Sequence, residues 1–250
     1  MNSFPKKIFT FQYLTEQKNG KSYIDLCIKS WKNNLPDDYE IVILTSDNIE
    51  QYTSGNLPSN YKERSISNFY DYIAAIVLYE NGGIFVDPTT IFTKKFSELQ
   101  QLFEHADTVL FGDSPCNVHS GFIKSDKNSD FIEELIRRYR FDSYLEHNNN
   151  VKRNYIINDV LRNFDKSKVV VIDSEKSGFR FEKSLYGVSD RHLFQSCYFT
   201  TQHTIDEFFE INKGIAGLDI EHTPEKYINM DENEFLKQKI LLAEILKKIS

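Results

Sequence analysis

The chain has 250 residues, 40% of them hydrophobic and 27% charged, with 10 glycines and 6 prolines. That size and balance suit one or two globular α/β domains and exclude collagen-like, low-complexity and wholly disordered chains. With 30 basic against 37 acidic residues the formal charge is −7, so no general positive field serves a nucleic acid, and any bound anion must be held locally by a metal, a helix N-terminus or a few side chains.

Residues 7–13, KIFTFQY, are rich in β-branched and aromatic types and predict a first strand. Ile24, Cys27, Ile28 and Trp31 recur with the period of a helix that has one apolar face, stopped by Asn33-Asn34-Leu35-Pro36. Residues 39–45, YEIVILT, predict a buried parallel strand that passes through Ser46-Asp47 as a cap into a helix. The chain therefore opens β-α-β. Residues 67–80 are apolar on most faces, as in a helix buried against a sheet. Asn81-Gly82-Gly83 ends that helix and reverses the chain into the short strand IFV, closed by Asp87. Strands are expected at 108–112, 118–123 and 169–173, with helices marked by Phe131, Leu135, Ile136 and Tyr139 and by Ile157, Val160, Leu161 and Phe164. Beyond Ser174 the periodicity weakens, which predicts mostly loops and short elements. Asp231 with Glu234 resembles a capping box, followed by one apolar stripe through Phe235, Leu242, Ile245, Leu246 and Ile249.

Cys27, Cys116 and Cys197 are odd in number and widely spaced, which indicates neither a disulfide framework nor a zinc knuckle and fits a reducing cytoplasm. The first twenty residues show no apolar signal-peptide core, and the longest apolar run, 72–79, is too short to span a bilayer. The last helix offers an apolar stripe, but its four acidic and four basic residues cancel, weakening an electrostatic membrane anchor. The aromatic content is high, with 14 Tyr and 20 Phe. Most of it lies at core-facing periodic positions; Phe179, Phe181, Tyr186, Phe194, Tyr198 and Phe199 lie where periodicity fails and are candidates for stacking on an acceptor sugar.

The most informative stretch is 71–90, DYIAAIVLYENGGIFVDPTT. It reads as a helix, a glycine reversal, a short strand and then a carboxylate at the strand's C-terminal edge, where open α/β sheets place ligands. One Asp there can hold a hard divalent cation that bridges nucleotide phosphates, and Pro88 restricts Asp87 to extended backbone. Asp71, inside an apolar helix, is either functional or hydrogen-bonded in the interior.

This stretch resembles the nucleotide-sugar glycosyltransferases with a DXD sugar-binding region, of the capsular-polysaccharide and lipopolysaccharide type. Their helix S-D-x-x-R-x-x-x-L-Y-E-x-G-G is followed by I-Y-x-D-x-D or, in capsular members, I-W-x-D-A-T. Here Tyr70-Asp71-Tyr72-Ile73-Ala74 leads to Leu78-Tyr79-Glu80-Asn81-Gly82-Gly83-Ile84-Phe85-Val86-Asp87-Pro88-Thr89. The segments PKKIF, CIKSWKNNLPDDYEIVILT and SGFIKSDKNSDFIEEL agree in order, so the resemblance spans roughly residues 5–140. Two positions depart: Ala74 stands in place of the Arg, and Thr89 in place of the second Asp, as in the capsular D-A-T variant.

The resemblance implies an α/β, GT-A-like nucleotide-diphospho-sugar transferase fold with a mostly parallel sheet flanked by helices. It implies one domain over 1–250, with a nucleotide-sugar half at 1–125 and an acceptor-side half with the C-terminal helix at 126–250. The function implied is a retaining, metal-dependent transfer from a nucleoside-diphosphate sugar, a UDP-sugar by preference, to a surface polysaccharide, lipooligosaccharide or lipid-linked glycan. It would take place in the cytoplasm, with room for peripheral contact at the inner membrane surface. Mn²⁺ or Mg²⁺ is the implied cofactor, with Asp87, Thr89 and His222 as its ligands. Thr10, Phe11, Gln12, Asp71, Gly83, Asp87 and Ser120 would bind the donor, and Asp113 and His119 would face the reacting sugar. The rival reading, motivated by Ala74 and Thr89, is a non-catalytic nucleotide- or carbohydrate-binding relic of the same fold.

Overall fold

The computed structural model describes residues 6–11, 23–55, 57, 70–93, 95–103, 106–114, 117–141, 154–165 and 167–250. In chain order the elements are β1 (Lys7–Phe11), α1 (Tyr23–Asn34), β2 (Glu40–Leu44), α2 (Tyr70–Asn81), β3 (Gly83–Val86), β4 (Thr90–Phe92), α3 (Phe96–Phe103), β5 (Thr108–Ser114), β6 (Asn117–Ser125), α4 (Asp130–Phe141), α5 (Asn154–Asn163) and β7 (Val169–Asp173). They continue with α6 (Ser174–Ser177), α7 (Phe181–Tyr186), α8 (Arg191–Tyr198), α9 (Ile205–Ile211), β8 (Ile215–Gly217), α10 (Glu225–Ile228), α11 (Glu232–Leu236) and α12 (Leu241–Ile249). Short 3₁₀ turns lie at Ile49–Tyr52 and Ile220–His222.

The chain folds as two compact units that alternate along the sequence. The first comprises Met1–Tyr13, Asp38–Val86 and Phe103–Ile172, and the second Leu14–Asp37, Asp87–Leu102 and Asp173–Ser250. The unit edges therefore differ from a division at 125/126.

The first unit is built on a six-stranded sheet of order β2-β1-β3-β6-β5-β7. β1 pairs in parallel with β2 and with β3, while β6 is antiparallel to both β3 and β5. Hence β2, β1, β3 and β5 point one way and β6 the other, the mostly parallel sheet expected. β2 is the edge strand and buries only Val42 and Leu44 fully. It is the parallel strand expected, but only partly buried, because an edge has a neighbour on one side only. It leads into a single 3₁₀ turn in which Asn48 serves the local backbone: its Oδ1 accepts from Thr45 N at 2.8 Å and its Nδ2 donates to Ile43 O at 2.9 Å. The expected Ser46-Asp47 cap is therefore not formed: Asn48 holds the N-cap position, but its side chain bonds back to Thr45 and Ile43 and makes no cap hydrogen bond to the turn.

α2 is buried through Leu78 because α4 and α5 close over the same face of the sheet; Ile73, Ile76, Val77, Phe131, Leu135, Ile157 and Leu161 share one core. Gly82, at φ 66°, donates to Leu78 O at 2.8 Å and closes the helix. Gly83 has φ 116°, and a Cβ there would lie 2.6 Å from Lys7 O of β1. Glycine at 83 thus lets β3 enter the sheet beside β1.

The second unit carries a two-stranded antiparallel sheet, β4 with β8, and a core of α1 and the C-terminal helices. Phe181, Phe194, Tyr198, Phe208, Tyr227 and Phe235 lie in that core with Ile24, Cys27, Leu242 and Ile245. The region after Ser174 is mostly short helices, not mostly loops. Those from α6 to α11 have four to eight residues, too few turns for a hydrophobic period to show. The single C-terminal stripe is in fact two helices, α11 and α12, separated by residues 237–240. Asp231 does cap the first, accepting from Asn233 N at 2.8 Å. The apolar residues of α12 are buried in the unit's core. Among the described residues no helix is long and apolar enough to cross a membrane.

Candidate functional site

In the first unit α2 runs back along β3, so its first turn returns to the sheet edge at which β3 ends. Aromatic contacts fix that return: the Tyr70 ring lies 4.8 Å from Phe11 and 5.3 Å from Phe85, and Phe11 lies 5.3 Å from Phe85. Asp71 follows directly and is 6% exposed, a carboxylate held at the C-terminal edge of β1 and β3. Thr10 alternates with Phe9 and Phe11 along β1 and is fully buried, and among the described residues its Oγ1 has no hydrogen-bond partner. A buried hydroxyl without a partner is uncommon and marks a place where a ligand group can bond. Phe11 is core, closed in by Tyr70 and Phe85, so only its backbone is available to a donor. Gly83 is required by the close approach of Lys7 O, at the far end of β3 from Asp87. Gln12 lies outside the described residues.

The β5–β6 ladder slips at the same edge. Leu110 pairs with Ile123 but Phe111 pairs with His119, so residues 120–122 have no opposite number on β5, while Phe122 pairs with Val86 of β3. Such a bulge re-aims side chains. Asp113 and His119 are brought together, Oδ1 to Nε2 at 3.2 Å, and Asn117 Nδ2 donates to the other carboxylate oxygen at 3.2 Å. Both are about one-fifth exposed. The pair holds an imidazole in one orientation at a sheet edge, with Ser120 next in the bulge, as suits proton transfer or hydrogen bonding to a sugar hydroxyl.

In the second unit Asp87-Pro88-Thr89-Thr90 forms a turn closed by Thr90 N donating to Asp87 O at 2.9 Å, with proline at its second position. β4 then pairs with β8, Thr90 opposite Gly217. Thr89 Oγ1 donates to Leu218 O at 3.0 Å and continues that ladder by one residue. Gly217 N donates to Phe179 O at 2.9 Å, and a Cβ on Gly217 would lie 2.6 Å from the Phe179 ring. Three segments, 87–90, 178–180 and 217–219, are thereby fixed together. Asp219 Oδ1 accepts from Glu221 N at 3.0 Å, while its Oδ2 lies 3.5 Å from His222 Nδ1 and 4.0 Å from Arg180. The His222 ring lies 6.0 Å from Phe194, and its carbonyl accepts from Gln195 Nε2 at 2.9 Å. Asp219 and Arg180 were not anticipated. The D-x-x-H spacing of Asp219 and His222 was a local signal for the first; no sequence pattern marks the second.

Among the described residues no group of three His, Cys, Asp or Glu side chains is arranged to hold a metal. Ions such as Mg²⁺ are bound through one or two carboxylates, water and substrate phosphates, not by a closed protein cage. At the turn the Asp87 carboxylate is a donor that suits an ion of that kind whose remaining ligands are water and phosphate oxygens, whereas Thr89 is 3% exposed. The proton of Thr89 is taken by Leu218 O, which leaves the oxygen its lone-pair side. Ala74 lies buried in the first unit's core, so α2 presents no cation there.

The six aromatic residues proposed as sugar contacts divide sharply. Phe179, Phe181, Phe194, Tyr198 and Phe199 are buried, which removes them as stacking surfaces, whereas Tyr186 is 41% exposed. Its hydroxyl is bonded to His203 Nε2 at 2.9 Å and accepts from Gln202 Nε2 at 3.1 Å.

The fold is similar to that of the glycosyltransferase GlyE of Streptococcus pneumoniae TIGR4, with a TM-score of 0.51 at 14% identity over 99% of this chain and 60% of that one. Its apo form gives 0.51 at 14% over 98% and 60%. The chain thus spans about 60% of the length of that protein. No curated protein matches in sequence. Residues 18–202 match the family described as capsular polysaccharide synthesis protein. With three-quarters of its length inside that match and a GT-A sheet beneath it, the chain belongs to the capsular polysaccharide synthesis protein family.

Proposed function

We propose that this chain, residues 1–250 acting as one domain, is a retaining, metal-dependent glycosyltransferase. It moves a hexose or N-acetylhexosamine from a nucleoside-diphosphate donor, a UDP-sugar, to a surface polysaccharide, lipooligosaccharide or lipid-linked glycan. The observation that carries the reading is Asp87: it leaves β3 in a proline turn braced by Thr89 and Leu218, within a chain whose family and fold both support glycosyl transfer. In the first unit Thr10 and Asp71 bind the nucleoside, and Asp113, His119 and Ser120 meet the sugar. In the second, Asp87 with Thr89 holds Mn²⁺ or Mg²⁺, with His222 a further ligand. When bound, the ion neutralises charge that builds on the departing nucleoside diphosphate. The reaction takes place in the cytoplasm, where lipid-linked acceptors meet the enzyme at the inner membrane surface.

The second reading, a relic that binds donor or glycan without turnover, is favoured by the hydroxyl at 89 and by Ala74 in the core. Thermal unfolding with UDP, GDP and CMP in the presence of Mn²⁺ or Mg²⁺ tests the first. A ligand at a hundredfold excess over its dissociation constant stabilises the fold by about 2.7 kcal/mol. An unchanged melting temperature across the whole panel contradicts donor binding, and binding without release of nucleoside diphosphate leaves the relic.

A further inference from the structure

We propose that Arg180 holds the diphosphate of the donor, an assignment that rests on the nucleotide-sugar reading above and adds to it the cation that α2 lacks. The Arg180 side chain is only 17% exposed, its nearest carboxylate oxygen, Asp219 Oδ2, is 4.0 Å away, and among the described residues its guanidinium makes no hydrogen bond. Most of the side chain is packed away from water, yet no guanidinium nitrogen is among the fully buried unpartnered atoms, so its five N–H donors stay open to an incoming anion.

The surrounding structure fixes the base of the side chain while leaving its end unbonded. The Arg180 carbonyl accepts from Ser184 N at 3.0 Å and from Ser184 Oγ at 3.2 Å. The preceding residue, Phe179, is tied to Gly217 through its carbonyl. The adjacent carboxylate does not pair with it: Glu182 is buried, its Oε1 accepts from Ser189 Oγ at 2.6 Å, and its Oε2 has no hydrogen-bond partner among the described residues. Through β8 the same three-segment junction carries the Asp87–Thr89 turn, joined by the bond from Thr89 Oγ1 to Leu218 O. A planar guanidinium matches two phosphate oxygens at once. Asp219, within ion-pair distance but beyond hydrogen-bond distance, keeps the guanidinium oriented without occupying its donors.

The test is calorimetric titration of UDP, GDP and CDP with Mn²⁺ into the wild type, Arg180→Gln and Arg180→Lys, with each variant's ligand-free melting temperature as the check on folding. For the nucleotide that the wild type binds, Arg180→Gln is expected to lose about tenfold or more in affinity, the order of one charge-assisted hydrogen bond. Arg180→Lys, which keeps the charge and loses the fork, is expected to fall between the two. If Arg180→Gln fails to fold, the lysine variant decides. Affinity equal to wild type in a folded variant overturns the assignment and leaves the donor reading intact. A wild type that binds none of the three overturns both.

Discussion

The two units bury their cores by different means. In the first, helices of ten to twelve residues lie on a sheet, and aliphatic side chains such as Ile73, Ile76, Leu135 and Ile157 fill the layer between. In the second, apart from α1, the core is assembled from helices of four to nine residues joined by ring contacts: Phe181 lies 5.4 Å from Phe208 and 6.0 Å from Tyr198, and Phe199 stacks on Tyr227 at 4.9 Å. A single aromatic side chain buries about 150–250 Å², so a helix of one or two turns can anchor itself with one or two rings. Rings also fill the first unit's core, among them Phe9, Phe11, Tyr70 and Phe85, but in the second they are what anchors the short helices, so the buried rings after Ser174 are packing and not a carbohydrate-binding surface.

The largest effects should separate buried rings from the exposed one. Phe181→Ala and Phe194→Ala are each expected to destabilise by about 3–5 kcal/mol, while Tyr186→Ala should stay within about 0.5 kcal/mol, all read from urea midpoints. A costly Tyr186→Ala beside mild phenylalanine variants would break the comparison. In the first unit the corresponding weak point is backbone: Gly83→Ala puts a Cβ 2.6 Å from Lys7 O at φ 116°, which should cost about 3 kcal/mol from strain and overpacking together. Full stability in that variant would mean that β3 need not approach β1 so closely.

A smaller effect follows from the buried thiols of the second unit. Burial, with Asp25 adding, pushes the Cys27 thiol well above its ordinary range, and burial, with Glu182 adding, pushes Cys197 up to about 12. Both stay protonated in the folded protein while the unfolded chain ionises from about pH 8.5. The folded state then binds more protons, and stability falls as pH rises above that value, by up to about 1.4 kcal/mol per pH unit for each thiol. Urea midpoints of wild type and Cys197→Val between pH 7.5 and 10 measure it: the variant should show the shallower slope, and equal slopes would place the Cys197 thiol in a more polar setting.

These physical differences also explain what could be read from the chain alone. β1, α1, α2, the double-glycine reversal, β3, α4, α5 and β7 were legible because each carries either a run long enough to show a period or a residue, such as Gly83, that has one steric purpose. α7 to α10 were not, since four to eight residues complete barely two turns; Thr204 with Glu207, a true capping box, was the local clue. β4 and β8 escaped because three-residue strands exist only through each other. At the candidate site, the pairing of Asp113 with His119 depends on a bulge, and the tie of the segments 178–180 and 217–219 to the Asp87 turn depends on the β4–β8 ladder, neither of which is written in local sequence.

The most direct measurement is release of nucleoside diphosphate from a panel of nucleotide sugars with Mn²⁺, comparing wild type with Asp87→Ala at matched folded concentration. The expected result is release from at least one donor by the wild type, reduced by about a hundredfold or more in the variant, as for loss of a charge-stabilising group at a reacting phosphate. Equal release by both proteins, or none by the wild type, would contradict the assignment of Asp87 to a glycosyltransferase site.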